Sequence, residues 1–539
     1  MTTIGAGIVT GCTNLTEIQV EAGNPAYSAV DNILYDKEQT TLIQCLPSKT
    51  SVSLPATVTV IGSSAFNNCT GLTSITLPQS LTTIGDRAFW NCTSLTSIDI
   101  PRSVSAIGES AFFNSGLTSI SIPEAVTNIG NSTFSNCGYL ASVTLHDGIT
   151  HIGEQAFAFC SQLNAIELPQ NLASIGKSAF ANIGLTTVII PDKVTDIGEN
   201  CFSTCNQLSS ITFGAAIKNV GSNVVGSCPL LTSIVWNATK ANDFNSSFLS
   251  YDNQIETFTF GDNVEYIPDN LCEQMSKLTS VTIPDKVTTI GKNAFGRCSG
   301  LTSVTIGNSV KEIRQGAFYG LTTIIIPNSV TTLGNEVFSG CRNLESATIG
   351  NSVIGIGEYA FSECEKLTTV IIPNSVKTIG YAAFYECTGL TSITIGSSTE
   401  QIYGDAFSEC TNLKSVSCLA INPPVCMWGS PFDNYDKDLY VPTGSGDKYR
   451  NAEVWKEFNI TEKTFSGIHS AETKEARIYT RDHNIVIENA LPGTPLSVYN
   501  PAGVCIESME ISDSETEIAL PAQGLYIVKY GDRSIKVVL

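Results

Sequence analysis

A repeat with a period of 23 residues constrains this chain more than any other feature. Phe66, Phe89, Phe112, Phe134, Phe157, Phe180 and Phe202 mark it, and it resumes at Phe295, Phe318, Phe338, Phe361, Phe384 and Phe407. The spacing is 23 residues, occasionally 22, and once 20, where Phe318-Tyr-Gly-Leu lacks three turn residues. Between Phe202 and Phe295 the frame persists through Val225, Phe248 and Cys272. With Val9 marking a first unit, about 17 repeats are present. Self-similarity at a fixed period of roughly 20–50 residues is the signature of a solenoid.

One unit reads Leu72-Thr-Ser-Ile-Thr-Leu-Pro78, then Leu81-Thr-Thr-Ile-Gly85, then Ala88-Phe89 and Cys92. The pattern Leu-x-x-Ile-x-Ile is that of a short strand with one face in a core. The proline ends it, because it cannot donate a ladder hydrogen bond. A second extended piece, Val-x-x-Ile, stops at a glycine suited to a turn. Ala-Phe and the cysteine three residues later fill the core beneath a tight turn or short 3₁₀ segment. No unit buries its own apolar face, so stability comes from stacking neighbours.

The motif Leu-x-x-Ile-x-Ile-Pro-x-x-Val-x-x-Ile-Gly-x-x-Ala-Phe-x-x-Cys resembles the BspA-type (treponemal) leucine-rich repeat. It covers roughly residues 1–417. The resemblance implies a mainly β, right-handed leucine-rich-repeat solenoid of about 17 units of 23 residues, followed by a small C-terminal β-sandwich. The segment Asn24-Pro-Ala-Tyr-Ser-Ala-Val-Asp-Asn-Ile-Leu-Tyr35 is similar to a hairpin-bearing variant unit, at about 24–50. Pro423-Pro424, Phe432, Leu439-Tyr-Val-Pro442, Tyr449, Trp455 and Phe458 resemble the family's closing segment, placing a cap at 418–465. The family implies a secreted or outer-surface protein that adheres to host matrix proteins, cells or glycans.

Residues 466–539 differ in kind. Asn484-Ile-Val-Ile-Glu488, Leu496–Tyr499, Glu517–Leu520, Leu525–Tyr530 and Ser534–Leu539 read as strands separated by turn signals. A small antiparallel sandwich is expected. Val498-Tyr499, Gly503 and Gly524-Leu-Tyr-Ile-Val528 resemble the sorting domains of Bacteroidetes type IX secretion cargo. A β-sandwich stalk without a sorting role is the alternative. At the other end, Thr2-Thr-Ile-Gly5 and Cys12 begin in mid-repeat. A further array and a signal peptide upstream are therefore expected.

Composition limits the chemistry. Of 539 residues, 42% are hydrophobic and only 15% charged; 50 acidic against 29 basic residues give a net charge of −21. That balance opposes nucleic acid and anionic membranes as partners, since both demand basic patches. No apolar run is long enough to span a bilayer. Four histidines, His146, His151, His469 and His483, leave little scope for imidazole catalysis. No nucleophile elbow, phosphate loop or His-Glu-x-x-His motif occurs. No catalytic residue, cofactor or metal site is expected, and the chain reads as a non-enzyme.

Twelve of the 18 cysteines, among them Cys69, Cys92, Cys137, Cys160 and Cys387, share one repeat position. A position that recurs with the fold packs first, as a small apolar thiol. Free buried thiols are expected, with Cys418 and Cys426 the pair most open to a bridge. His146, Asp147 and His151 share a loop, and Asp433, Asp436 and Asp438 form another. Both are read as ordinary loop polarity rather than metal sites. Asn-x-Ser/Thr triplets, as at Asn68 and Asn91, are read as repeat consensus.

The exposed strand positions form a wall of small hydroxyls, including Thr282, Thr305 and Thr394. Two readings stand: threonine suits a half-exposed strand where stacked hydroxyls satisfy each other, or the wall contacts a ligand. The irregular stretch from Trp236 to Met275 carries Phe244, Phe248, Tyr251 and Tyr266 off the pattern. It is either a specific site or a decayed repeat held by bulkier core residues. The leading expectation is a monomeric, surface-attached binding or adhesion protein; the alternative is a structural spacer or coat protein with no specific ligand.

Overall fold

The computed structural model describes residues 3–12, 14–244, 249, 254–465, 477–481, 484–488, 494–500, 505–511, 515–519, 525–530 and 533–538. The chain is mainly β, a solenoid of about 18 turns of roughly 23 residues with antiparallel sheets at the C-terminal end. It divides into two compact units, Met1–Glu462 and Lys463–Leu539.

Each coil of the first unit has two strand positions. Ser119–Ser121 is representative of the first: Ile120 points into the core while both serines face outward. Successive first strands pair in parallel, as Ser142–Thr144 does with Ser119–Ser121. The following proline's carbonyl then closes a turn, Pro123 O accepting the Val126 N–H at 3.0 Å. The second strand is only two residues long, as in Thr83–Ile84, and also stacks in parallel. The glycine after it is required by close approach. A β-carbon on Gly198 would lie 2.3 Å from the Lys177 nitrogen.

The turn carrying Ala-Phe is not 3₁₀. It holds two left-handed residues four apart, Ser64 and Asn68 around Phe66, then Arg87 and Asn91 around Phe89. This conformation aims alternate N–H groups at the next coil: Ser64 to Asp86 O, Phe66 to Ala88 O and Asn68 to Trp90 O, each at 2.8 Å. Asparagine tolerates the left-handed region, and its amide adds a ladder of its own. Asn91 Nδ2 donates to Asn68 Oδ1, and Asn114 Nδ2 to Asn91 Oδ1, both at 2.7 Å. The Asn91 amide is therefore engaged at both its nitrogen and its oxygen, and Asn68 at its oxygen.

Inside, the marker phenylalanines form a continuous ring stack from Phe66 to Phe202, with centroids 5.0–5.5 Å apart. A second stack runs from Phe295 to Phe407 and onto Phe432, 5.1 Å beyond. Between them Phe213, Trp236, Phe244, Phe258 and Phe260 fill the core with tilted and edge-on rings.

Beyond the first coil, two rungs depart from the expected strand. Residues 95–100 and 163–168 are not in a strand, and each is joined to the next coil by one backbone bond, Thr118 N–H to Thr96 O and Thr186 N–H to Asn164 O. The coil that follows each of them is 22 residues long. The glycine that ends such a coil lies close to the coil before it: β-carbons on Gly116 and Gly184 would lie 2.2 and 2.7 Å from the Thr93 and Ser161 carbonyls, and the 23-residue coil ending at Gly300 is as tight, at 2.3 Å from the Ser276 carbonyl.

At the front, Tyr27–Val30 and Ile33–Asp36 form an antiparallel hairpin around Asp31 and Asn32, both left-handed. Thr41–Cys45 continues it, antiparallel to Ile33–Asp36 and parallel to Val60–Ile61. At the other end, Phe432, Leu439, Val441, Tyr449, Trp455 and Phe458 are buried against the last coil. Tyr449 Oη donates to Ala420 O at 2.7 Å, and Trp455 Nε1 to Pro424 O at 2.8 Å.

The second unit holds two antiparallel sheets. One orders Arg477–Arg481, Asn484–Glu488 and Glu515–Ala519; the other orders Cys505–Glu510, Pro495–Tyr499, Leu525–Tyr530 and Arg533–Val538. Ile485, Ile487, Leu496, Val498, Ile518, Tyr526 and Val528 share one core. Two of these strands, Arg477–Arg481 and Cys505–Glu510, carry too many charged residues to stand out in the sequence.

Candidate functional site

The outward sheet face is built differently from the expected hydroxyl wall. The threonines at the start of each first strand donate to backbone carbonyls of the preceding coil rather than to each other. Thr73 Oγ1 reaches Thr50 O at 2.9 Å, Thr118 reaches Thr96 O at 3.2 Å and Thr302 reaches Thr279 O at 3.2 Å. The candidate residues Thr282, Thr305 and Thr394 occupy the last outward position of the strand. Thr282 and Thr305 are register partners, whereas Thr394 sits between Ile371 and Ser417. Their hydroxyls make no hydrogen bond among the described residues.

That same column is not uniformly hydroxylic. Ile189, Ile325 and Ile371 stand in it, 72%, 70% and 62% exposed. Around the interrupted rung at 163–168, a cleft of about 780 Å³ opens, lined by Val143, Leu145, Ile166, Val188, Ile189 and Glu167 among others.

The irregular stretch resolves into packing and charge pairing. Phe244 is 8% exposed and lies edge-on to Trp236 at 6.1 Å, so it serves the core rather than a surface. Tyr266 donates its hydroxyl to Asp243 and accepts from Arg314 Nη1 at 2.9 Å. The Arg314 guanidinium lies 5.5 Å over the Tyr266 ring and reaches Asp269 at 3.5 Å, Glu312 at 3.6 Å and Asp243 at 3.8 Å. Burial and the Asp243 carboxylate hold the Tyr266 phenol well above its ordinary range. Its polar tip is occupied by the fold. Phe248 and Tyr251 lie outside the described residues.

The other polar candidates are also engaged. Gly148 N–H donates to His146 Nδ1 at 3.1 Å, which leaves Nε2 as the donor to Pro123 O at 2.9 Å. His151 Nδ1 lies 3.0 Å from Asn128 Oδ1. Asp433 accepts the Glu409 N–H. Among the described residues, no group of three or more His, Cys, Asp or Glu side chains is placed to hold a metal, and no helix is long and apolar enough to cross a membrane.

Cys418 and Cys426 are free thiols, with Cys418 Sγ 3.2 Å from Tyr449 Oη. The repeat thiols from Cys69 onward are buried, whereas Cys12 is exposed. Burial pushes Cys137 and Cys341 up to about 11, so the nucleophilic thiolate is suppressed.

Strand-position reasoning misses one group altogether. Tyr359, Tyr381, Tyr403 and Trp428 line up on successive coils beside the glycine turn. Their signal in the sequence is the replacement of small and polar residues by aromatic ones at a turn position.

Comparison with known proteins bears on this architecture. The BspA type leucine-rich repeat region family matches at residues 39–157, 127–250, 241–324 and 320–422. Among solved structures, a leucine-rich repeat protein from Bacteroides ovatus is 22% identical, with 82% of this chain and 91% of that one covered at a TM-score of 0.35. A leucine rich cell surface protein from Faecalibacterium prausnitzii is 24% identical, with 74% and 96% covered at 0.28. The pneumococcal vaccine antigen PcpA is 14% identical, with 84% and 100% covered at 0.30. No curated protein matches. With family matches running from residue 39 to residue 422, the chain belongs to the BspA-type leucine-rich repeat family.

Proposed function

We propose that this chain is a non-enzymatic, secreted or outer-surface binding protein that uses its solenoid sheet to contact host proteins, cells or glycans. The observation that supports it is the exposed column containing Ile325 and Ile371. Ile325 is paired with Thr348 and Ile371 with Thr394, so methyl groups alternate with free hydroxyls on a rigid rung spacing. Large apolar side chains held in solvent by a strand are a contact surface in waiting. Contacts of this kind lack deep anchors, so a single copy binds weakly and attachment comes from many copies on one surface.

Residues 418–465 act as the solenoid's cap in this proposal, and 466–539 as a sorting module of the type IX secretion kind from a Bacteroidetes bacterium. A spacer without a ligand is the second reading. It is favoured by the threonine hydroxyls turned inward to backbone carbonyls, as at Thr391 and Thr368 O, 3.1 Å apart.

The test is a screen of the immobilised chain against host matrix proteins and glycan arrays, repeated with Ile325→Ser/Ile371→Ser. A ligand lost in the double variant supports the binding reading. A full screen without any ligand favours the spacer.

A further inference from the structure

Two residues before the stacked phenylalanine, most coils carry a small or polar residue, such as Ser64, Ser110, Ser132 or Asn200. The last coils do not. Tyr359 stands at that position, Tyr381 one residue earlier in the next coil, Tyr403 in place of the turn glycine after that, and Trp428 in the following rung. Backbone bonds run through the series: Tyr359 N–H to Tyr381 O at 2.9 Å, and Ala382 N–H to Gly404 O at 3.1 Å. The strand Gln401–Tyr403 pairs with Val425–Met427. Tyr359 and Tyr381 meet edge to face with centroids 5.5 Å apart, and Tyr403 and Trp428 do so at 4.8 Å. None of the four belongs to the apolar core, and Trp428 is 72% exposed.

Carboxylates lie beside the middle of this series. Tyr381 Oη donates to Asp405 Oδ2 at 2.7 Å. Tyr385, in the same coil, has its phenol held up by burial and by Glu386, Glu409 and Asp405. Between residues 358 and 409 the only basic side chains are Lys366 and Lys377, and Lys377 pairs with Glu400 at 3.9 Å.

We propose that this aromatic ladder docks an extended, arginine-bearing peptide segment of a partner protein. The proposal rests on the surface-binding reading and adds to its sheet column a second contact, beside the glycine turn, with a stated partner chemistry. Ring faces and edges attract a guanidinium through the quadrupole, and the carboxylates supply the opposite charge. The chain itself places arginines in both ways. Arg87 occupies the repeat position of Tyr359 and lies 5.4 Å over Trp90, which occupies that of Tyr385. Arg342 bridges Glu363 at 2.7 Å and Glu365 at 3.5 Å. A glycan would stack on a flat platform of coplanar rings, whereas these neighbours are turned 73° and 66° to each other. The exposed Trp428 ring offers its face to a single flat side-chain head instead.

The test immobilises the full chain and measures an alternating Gly-Arg dodecapeptide, its citrulline counterpart and cellohexaose. Variants are Tyr359→Ser/Trp428→Ser, which leaves the charge unchanged, and Glu124→Gln/Asp262→Asn, which removes two exposed charges elsewhere. The expected result is about a tenfold loss of arginine-peptide affinity in the serine variant, a similar loss for citrulline, and little change in the charge control. Equal loss in both variants would reduce the binding to general acidity and overturn the proposal. Cellohexaose binding that depends on Tyr359 and Trp428, without arginine-peptide binding, overturns it in favour of a glycan. A matrix ligand bound equally by wild type and the serine variant leaves the surface-binding reading standing and removes the ladder from it.

Discussion

Cys92 Sγ donates to the carbonyl oxygen of Phe66, one coil earlier, across 3.2 Å. The same bond joins Cys137 to Phe112 O and Cys160 to Phe134 O at 3.1 Å, and Cys387 to Phe361 O at 3.1 Å. The thiol is thus a donor as well as a filler. It ties these turns to the ones before them, and three of the four phenylalanine carbonyls also close their own turn, as Phe66 O does with Cys69 N–H.

Cys160→Ala should therefore cost more than its lost volume alone, about 1–3 kcal/mol in all. Cys160→Ser should cost less, because a hydroxyl can donate in the same direction. Ser115 already occupies this position in one coil, buried, with Oγ 3.2 Å from Cys137 Sγ. Urea denaturation of both variants checks the order. Equal destabilisation by alanine and serine would leave the thiol as filler only.

Alkali should weaken the solenoid through these thiols. Burial pushes Cys137, Cys341 and Cys418 up to about 11, and Cys298 up to about 12. An unfolded thiol titrates near 8.5. Because the folded values are raised, the stability is complete below about pH 8.5 and is lost as pH rises toward 11–12, where the unfolded chain has released protons the fold retains. Under reductant, the urea midpoint should fall between about pH 7.5 and 9.5. An unchanged midpoint would mean the thiols titrate alike in both states.

Much of this was readable because every coil repeats the same experiment. Phe89 and Ile84 recur at a fixed period, and a recurring apolar residue has one place to go. The turn conformation was hidden, since left-handed positions are filled by Arg87, Tyr359 and Glu363 as well as asparagine. The interrupted rungs at 95–100 and 163–168 carry the same apolar pattern as their paired neighbours, so nothing in that pattern marks them. Phe244 and Tyr266 break the pattern, which left a specific site and a decayed repeat both open; the break is answered locally, by Trp236 and by Arg314. The aromatic ladder escaped for the opposite reason, since turn positions carry no strand pattern to violate.

Two glycines separate close approach from mere turn chemistry. Gly198→Ala drives a methyl to within 2.3 Å of the Lys177 nitrogen, whereas the nearest atom to a β-carbon on Gly138 is 4.0 Å away. Gly198→Ala should destabilise by several kcal/mol or prevent folding, since backbone must move. Gly138→Ala should be neutral or slightly stabilising, by up to about 1 kcal/mol, through loss of unfolded-state entropy. Thermal melts of the pair provide the check, and similar melting temperatures would deny the tight stacking.

Removing residues 466–539 should leave the solenoid's melting unchanged, because Phe432, Trp455 and Phe458 already cover its last coil. In a secreting host with type IX machinery, the same deletion should cause periplasmic retention. Loss of solenoid folding would move the domain boundary; normal export would remove the sorting role.

The last coil poses a problem that Asp433 answers. Most turns send three N–H groups to the next coil, and the final turn has no next coil. Asp405 N–H finds Ser430 O at 2.9 Å and Phe407 N–H finds Pro431 O at 2.8 Å. The third, Glu409 N–H, is taken by the Asp433 carboxylate. This side chain stands where a backbone carbonyl lies in earlier coils, as Trp90 O does for Asn68. A charged acceptor strengthens such a bond, and solvent exposure at Asp433 weakens it, leaving about 1 kcal/mol. Asp433→Ala should lose that amount and speed hydrogen exchange at the Glu409 amide. Asp433→Asn keeps an acceptor oxygen and relieves repulsion with Glu409, so it should retain both stability and protection. Exchange at Glu409 that is insensitive to alanine would show that water serves the last rung as well as Asp433 does.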